Sequence, residues 1–505
     1  MLIKVTLLLI FFAITISIGL VCRKRATSVS QFVLGGRNIG AWLTAFAFGT
    51  TYFSAVIFVG YAGQFGWKFG LSATWIGIGN AFIGSLAAWL LLGRRTRIMT
   101  QHLGSATMPD FFEKRYESKS LKLAASAVLF IFMIPYTASL YNGLSRIFGM
   151  AFNIDYSICI VAMAVLTAVY VIAGGYLAAS MNDFVQGIIM LVGIVAIIAA
   201  VLNNHGGLSQ AVESMSKVQD PTVEGRGVFA SLFGPDPKGL ISVVLLTSLG
   251  TWGLPQMVHK FYAIKNEKSI KRGTVISTVF ATVIAGGCYF LGSFSRIFDT
   301  TAFTDETGAV IFDAIIPSVI SRLPDILVGI AVILVLSASM STLASLVLTS
   351  SSTLTLDFIK GTLVKDMDGK KQILTIRILL AFFILVSAVI ALIQYNSRVT
   401  FIAQLMGISW GALAGSFLGP FLYGLYWKRT TRASVWVSFA VAVCITVTNM
   451  FFNYFPTPIY AGVTAMLASL VLVPLVSLLT KKPDQDRVNQ IFSCYHNRTE
   501  TKINS

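Results

Sequence analysis

The sequence predicts an all-α, polytopic membrane protein of about thirteen transmembrane helices, and three observations carry that expectation. Of its 505 residues 55% are hydrophobic and only 12% charged, with a mean hydropathy of +0.78, a balance that belongs to a chain dissolved in lipid rather than to a soluble enzyme. Apolar runs of roughly 20 residues, the length that crosses a bilayer, recur at about 2–21, 40–66, 71–92, 121–148, 155–175, 182–202, 239–262, 273–296, 325–356, 372–394, 399–427, 433–454 and 458–480, numbered here as spans 1 to 13. Most of the 38 lysines and arginines fall in alternate loops: Arg23-Lys24-Arg25, Arg94 to Arg97, Lys114-Arg115, Lys260 to Arg272, Lys360 to Lys371, Lys428-Arg429 and the tail from Lys481.

That alternation is the positive-inside pattern. With thirteen spans it places the chain in a plasma membrane with the N-terminus outside and the C-terminus in the cytoplasm. The net charge of +17 therefore reports orientation in the bilayer, and no nucleic-acid partner is expected. Residues 1–480 read as one transmembrane domain, and 481–505 as a polar cytoplasmic tail without fixed structure.

Span 1 begins at Met1, as a signal peptide would, but Arg23-Lys24-Arg25 follows it directly and no small-residue cleavage pattern is present, so it reads as a retained helix. Spans 2 and 7 are irregular. Span 2 carries Gly49-Thr50-Thr51 and glycines at 60, 63 and 66, and span 7 carries Gly250, Gly253 and Pro255. Paired Gly/Pro interruptions in corresponding places point to an inverted-repeat transporter whose broken helices meet at the bilayer midplane. The repeats would cover about 40–202 and 239–427. The glycines of span 3, GIGNAFIG, read as packing points.

Asp183, between spans 5 and 6, reads either as a functional acid at membrane depth or, with Asn182, as part of a helix N-cap. Span 9 is the richest stretch. From Ser337 to Thr355 it holds eleven hydroxyl residues, and Asp357 follows. Hydroxyls in hydrocarbon are costly without partners, though many bond the carbonyl one turn back. Ser341, Ser345 and Ser352 share one helical face, and adjacent hydroxyls there supply oxygens of the kind a hard cation such as Na⁺ needs.

Nothing favours catalysis. The five cysteines and four histidines are scattered, without disulfide framework or metal spacing, and no acid/base or nucleotide motif is present. Asn497-Arg498-Thr499 matches a glycosylation sequon, but in the tail expected to be cytoplasmic it reads as a chance match. A channel would need no broken helices, and a sensor or enzyme would need a cytosolic domain that these short loops do not supply.

Seven motifs in order then give a resemblance. They are GGR at 35–37, T-x-P-D-F-F-x-x-R-Y from Thr107 to Tyr116, and GG-x-x-A with D-x-x-Q at Gly174, Gly175, Ala178, Asp183 and Gln186. W-G-x-P-Q follows at Trp252 to Gln256, M-S-T-L at Met340 to Leu343, S-S-x-x-x-x-D at Ser351, Ser352 and Asp357, and G-A-x-x-G-x-F-x-G-P…Y-W-K-R from Gly411 to Arg429. From Leu34 to Arg429 the chain resembles the sodium:solute symporter family.

The resemblance implies a LeuT-type 5+5 inverted repeat with one extra N-terminal and two extra C-terminal helices, and Na⁺-coupled uptake of a small-molecule solute by alternating access. It implies a sodium site made by backbone carbonyls of Thr50 and Phe53 with the hydroxyls of Ser341 and Thr342. Asp183 would assist the ion, and Ser345 matches part of a second sodium site of some members. Ala344 stands beside Ser345 in place of a hydroxyl, which argues for one sodium per cycle. The solute would lie against Thr51, Tyr52, Ser54, Ile57, Trp75, Tyr136, Thr251, Trp252 and Gln404. Sugar-transporting relatives place tyrosine at Thr251 and asparagine at Pro255, so a carboxylate, amino acid or vitamin-like acid is expected instead. A site of hydroxyls and carbonyls suits Na⁺ better than H⁺. The oligomeric state is not legible.

Overall fold

A computed structural model of the chain describes residues 2–24, 27–220, 223, 225–304, 306, 308–364, 366–397 and 402–495. Among these residues the fold is all-helical. The only extended pairings are two isolated bridges, Ile39 with Ile264 and Thr304 with Val310. Ten helices are long and apolar enough to cross a membrane, or eleven when the bent pair Pro237–Gly253 and Pro255–Ala263 is taken as one span.

The difference from thirteen has local causes. Span 2 is divided into Ala41–Tyr52 and residues 56–69, and its second half runs on into span 3, so that Val56–His102 forms one apolar length. Spans 5 and 6 follow one another without a loop over Tyr156–Asn203 and are parted at the non-helical Gly175 (φ 61°, ψ −156°); the described apolar helix of span 5, Ser157–Val169, is too short to cross a membrane by itself. A side chain at Gly175 would meet the Phe32 carbonyl at 2.8 Å, so glycine is required on two counts.

Large apolar side chains such as Leu9, Val192, Ile378, Leu385, Val471 and Leu478 are exposed on the outer helices, as a lipid-facing surface requires. Span 9, Asp325–Thr353 with wide turns continuing over Leu354–Leu363, is instead interior. Its apolar window is 83% buried, and it packs against Tyr156–Asn203, span 4 (Lys119–Phe152), span 1 (Leu2–Arg23) and the first half of span 2. Span 11 (Ile402–Tyr426), span 12 (Arg432–Phe452) and span 13 (Pro458–Leu479) pack together, and span 11 also contacts span 4 and span 7.

Arg37, Arg94, Arg95, Arg97, Arg115, Lys122 and Arg432 gather at one end of the bundle and tie it together. Arg37, in the left-handed turn Gly35-Gly36-Arg37, donates to the Ser105 and Tyr262 carbonyls at 2.5 and 3.3 Å. Arg97 donates to the Ile264 carbonyl at 2.5 Å. The connection between spans 3 and 4, read as a loop, contains the helix Met108–Tyr116, capped by Thr107 with Pro109 in its first turn.

The tail also differs from expectation. Gln485–Phe492 is a helix whose Val488, Ile491 and Phe492 are buried against the basic end, with the Arg95 guanidinium between the rings of Tyr426 and Tyr495 at 4.0 and 4.6 Å. Three apolar residues at helical spacing outweigh the polar composition that suggested disorder. The sequon at Asn497 lies outside the described residues. At the opposite end, the connections expected as loops hold the helices Leu208–Lys217 and Phe312–Ser321.

Candidate functional site

The site begins where span 2 stops being a helix. The last intrahelical bond of its first half runs from Phe53 N–H to the Gly49 carbonyl at 3.0 Å, and Phe53 is extended (φ −104°, ψ 94°). The carbonyls of Thr50 and Thr51 are thereby left without the partners a continuing helix would give them. Ser54 starts the second half. Its hydroxyl accepts from Val56 N–H at 3.3 Å and its carbonyl from Ile57 and Phe58. Span 7 breaks for a different reason. Pro255 has no N–H to offer, Leu254 is extended, and the two halves meet at 45°.

Span 9 turns its hydroxyl face to the first break. Ser341 Oγ donates to Thr50 Oγ1 at 2.7 Å, and Thr50 Oγ1 donates to the Phe46 carbonyl at 2.8 Å. Thr342 Oγ1 lies 3.2 Å from the Thr50 carbonyl, 3.2 Å from the Thr51 carbonyl and 3.0 Å from that of Ala338. One hydroxyl proton serves one acceptor well, so three carbonyls around it form a cluster richer in oxygen lone pairs than in protons. Such a set suits a small hard cation. Ser341 and Thr342 are fully enclosed by protein, facing neither lipid nor solvent.

One helical turn further, Ser345 Oγ is 2.9 Å from Thr51 Oγ1 and accepts from Lys260 Nζ at 2.8 Å. Lys260 Nζ is 3.8 Å from Asp183 Oδ2, and neither Asp183 oxygen has a hydrogen-bond partner among the described residues. Asp183 lies within Tyr156–Asn203, eight residues beyond the Gly175 turn, so it caps no helix end and the N-cap reading of Asn182 and Asp183 falls. Lys260 also departs from expectation. It sits inside the helix Pro255–Ala263, buried, and not in a loop. Its signal was available: the run PQMVHKFYA follows a helix break and places Gln256 and Lys260 four residues apart on one face.

The structure brings together Thr50, Thr51, Ser341, Thr342, Ser345 and Asp183. Phe53 forms the break, but the carbonyl that joins Thr50's at Thr342 is that of Thr51. Of the residues expected to meet solute, Tyr52 stacks on Phe53 at 4.2 Å and lies 6.4 Å from Trp410, whose ring is met edge-on by Tyr136 at 6.0 Å. Tyr52 donates to the Thr247 carbonyl at 2.6 Å. Ser54 and Ile57 are buried at the same break. Thr251 donates to the Gly84 carbonyl at 2.8 Å and Trp252 to that of Ile83 at 3.0 Å, so both tie span 7 to span 3. Trp75 stands apart, partly exposed, its indole bound to the Leu232 carbonyl at the opposite end. Gln404 is half-buried in the first turn of span 11. Trp410 was not among the residues singled out in the sequence.

Comparison with known proteins bears on the fold and the family. A sodium/proline symporter of Staphylococcus aureus is 30% identical over 94% of this chain and 92% of its own length. Among solved structures, a Na⁺-coupled sialic acid symporter in an outward-open state superposes with a TM-score of 0.75 at 14% identity, covering 96% of this chain and 99% of that one. The nucleobase-cation-symport-1 transporter Mhp1 superposes with a TM-score of 0.54 at 14% identity, covering 91% and 97%. These structural likenesses, at such low identity, establish a shared fold. The family model described as "Sodium:solute symporter family" matches residues 32–440, and the chain belongs to that family.

Proposed function

We propose that the protein is a Na⁺-coupled symporter that imports a small zwitterionic or anionic organic solute, of the proline or small-carboxylate kind, by alternating access. The observation that carries this reading is the meeting of Thr342 with the Thr50 and Thr51 carbonyls. An ion held there ties span 9 to the broken helix that also carries Tyr52 and Ser54. Binding of the ion then fixes the segment against which the solute rests, and each ligand raises the other's affinity by the same factor, typically about 5- to 150-fold.

The solute lies beside Tyr52, Tyr136 and Trp410, against the break and the facing surface of span 7. Its carboxylate is met by the start of the second half of span 2, where N–H groups and the helix dipole favour negative charge. The name of the proline-transporting relative supports an amino-acid solute. Thirteen spans, ten of them in two inverted repeats of five, with the basic end in the cytoplasm, fit the two broken helices and the gathering of cations at one end.

Uptake into proteoliposomes tests the proposal. Thr342→Ala is expected to remain folded and to lose stimulation by an inward sodium gradient. Normal sodium dependence in that variant would place the ion elsewhere.

A further inference from the structure

Lys260 gives the site a cation of its own. Its ammonium reaches Ser345 Oγ at 2.8 Å and faces Asp183 Oδ2 at 3.8 Å, and Ser345 is in turn 2.9 Å from the Thr51 hydroxyl. Asp183 is almost wholly buried and has no hydrogen bond among the described residues, so Lys260 is the group that faces its charge. The Tyr176 ring lies 5.4 Å from Lys260 Nζ and adds a weak attraction for the same ammonium. An unpaired carboxylate so enclosed would be costly.

An ammonium and a sodium ion carry the same charge and seek the same oxygens. We propose that Lys260 takes the place of a second sodium ion at the Asp183–Ser345–Thr51 end of the oxygen cluster, so that only one mobile cation enters per cycle. The inference rests on the sodium-coupled reading above. The Asp183–Lys260 pair is neutral as a unit, and the Thr50–Thr342 cluster is built from uncharged oxygens. The loaded site therefore carries the single positive charge of its ion. Ala344 had suggested one ion by lacking an oxygen; Lys260 supplies a stronger reason, since its ammonium occupies the position.

Equilibrium binding of radioactive sodium to the purified full-length protein, with choline chloride holding the ionic strength, reads the number of ions per chain. Wild type is expected to bind one. Lys260→Met is expected to bind two, with sigmoidal dependence, while Lys260→Arg and the double variant Lys260→Met with Asp183→Asn return to one. If Lys260→Met can be isolated only in sodium chloride and unfolds in choline chloride, while wild type tolerates both, sodium is replacing the ammonium and the inference stands. A Lys260→Met protein that binds one ion with wild-type affinity, or unfolds equally in both salts, overturns it. Absence of sodium binding by wild type would bring down the sodium-coupled reading as well, which separates the two failures.

Discussion

Thr107 donates its hydroxyl proton to the Asp357 carboxylate at 2.5 Å, joining two residues 250 positions apart. The same hydroxyl accepts from Asp110 N–H at 3.1 Å, so the cap of Met108–Tyr116 and the far end of span 9 share one oxygen. Lys122 completes the latch, 3.7 Å from Asp357, 3.3 Å from Asp110 and 2.7 Å from Glu113. Thr107→Val keeps the shape and removes both bonds, leaving the buried Asp357 with less compensation. Thermal unfolding should show a loss of about 1–3 kcal/mol. A cysteine placed at Ser352 in that background should react faster with a thiol reagent applied from the basic end; unchanged labelling would show that Thr107 is not a latch.

At the proposed ion site, Thr342→Ser should keep sodium-stimulated uptake because the hydroxyl remains, whereas Thr342→Val, nearly the same shape, should lose it. Equal activity in the two would mean that packing, not oxygen, is what position 342 contributes.

Close backbone approach makes a sharper stability prediction. A Cβ at Gly66 would lie 2.1 Å from the carbonyl carbon and oxygen of Gly292, atoms that cannot swing aside. Gly66→Ala should therefore cost at least the ~1–3 kcal/mol typical of overpacking. Gly286→Ala in the same helix as Gly292 meets nothing within 4 Å and should stay within about 0.5 kcal/mol of wild type. Detergent thermal midpoints compare the two directly.

Asp313, in the helix Phe312–Ser321 at the opposite end, is pushed up to about 6 from the ordinary carboxylate value of 3.8, chiefly by burial; Arg146 and the Ile402 N–H at 3.4 Å pull the other way. The packed state thus prefers the protonated acid. Its stability should rise as pH falls through about 6 and level off below the unfolded value near 4. Protection factors across 312–321, corrected for the intrinsic exchange rate at each pH, should rise between pH 7 and pH 5, and Asp313→Asn should abolish that rise.

Much of the site was legible because its chemistry repeats along the chain. Ser341 and Ser345 announced a polar face inside an apolar helix, and the face they share is the one turned to Thr50 and Thr51. Gly and Pro marked both breaks. What escaped was context that only packing supplies. Lys260 reads as one of a run of loop cations until Pro255 is seen to start a new buried helix that carries it inward. Thr107 and Asp357 belong to separate motifs, and no spacing rule joins them. The docked tail escaped because three apolar residues in a charged segment weigh little in composition and decisively in a contact.

Ile39 and Ile264 have a mechanical consequence. Lys265 N–H bonds the Ile39 carbonyl at 2.9 Å and Ile39 N–H bonds that of Ala263 at 3.2 Å, so the root of one broken helix and the foot of the other are stitched together. The seam joins the two limbs at their base, as a rivet joins tongs. A tilt that kept both backbone bonds would carry the two limbs together.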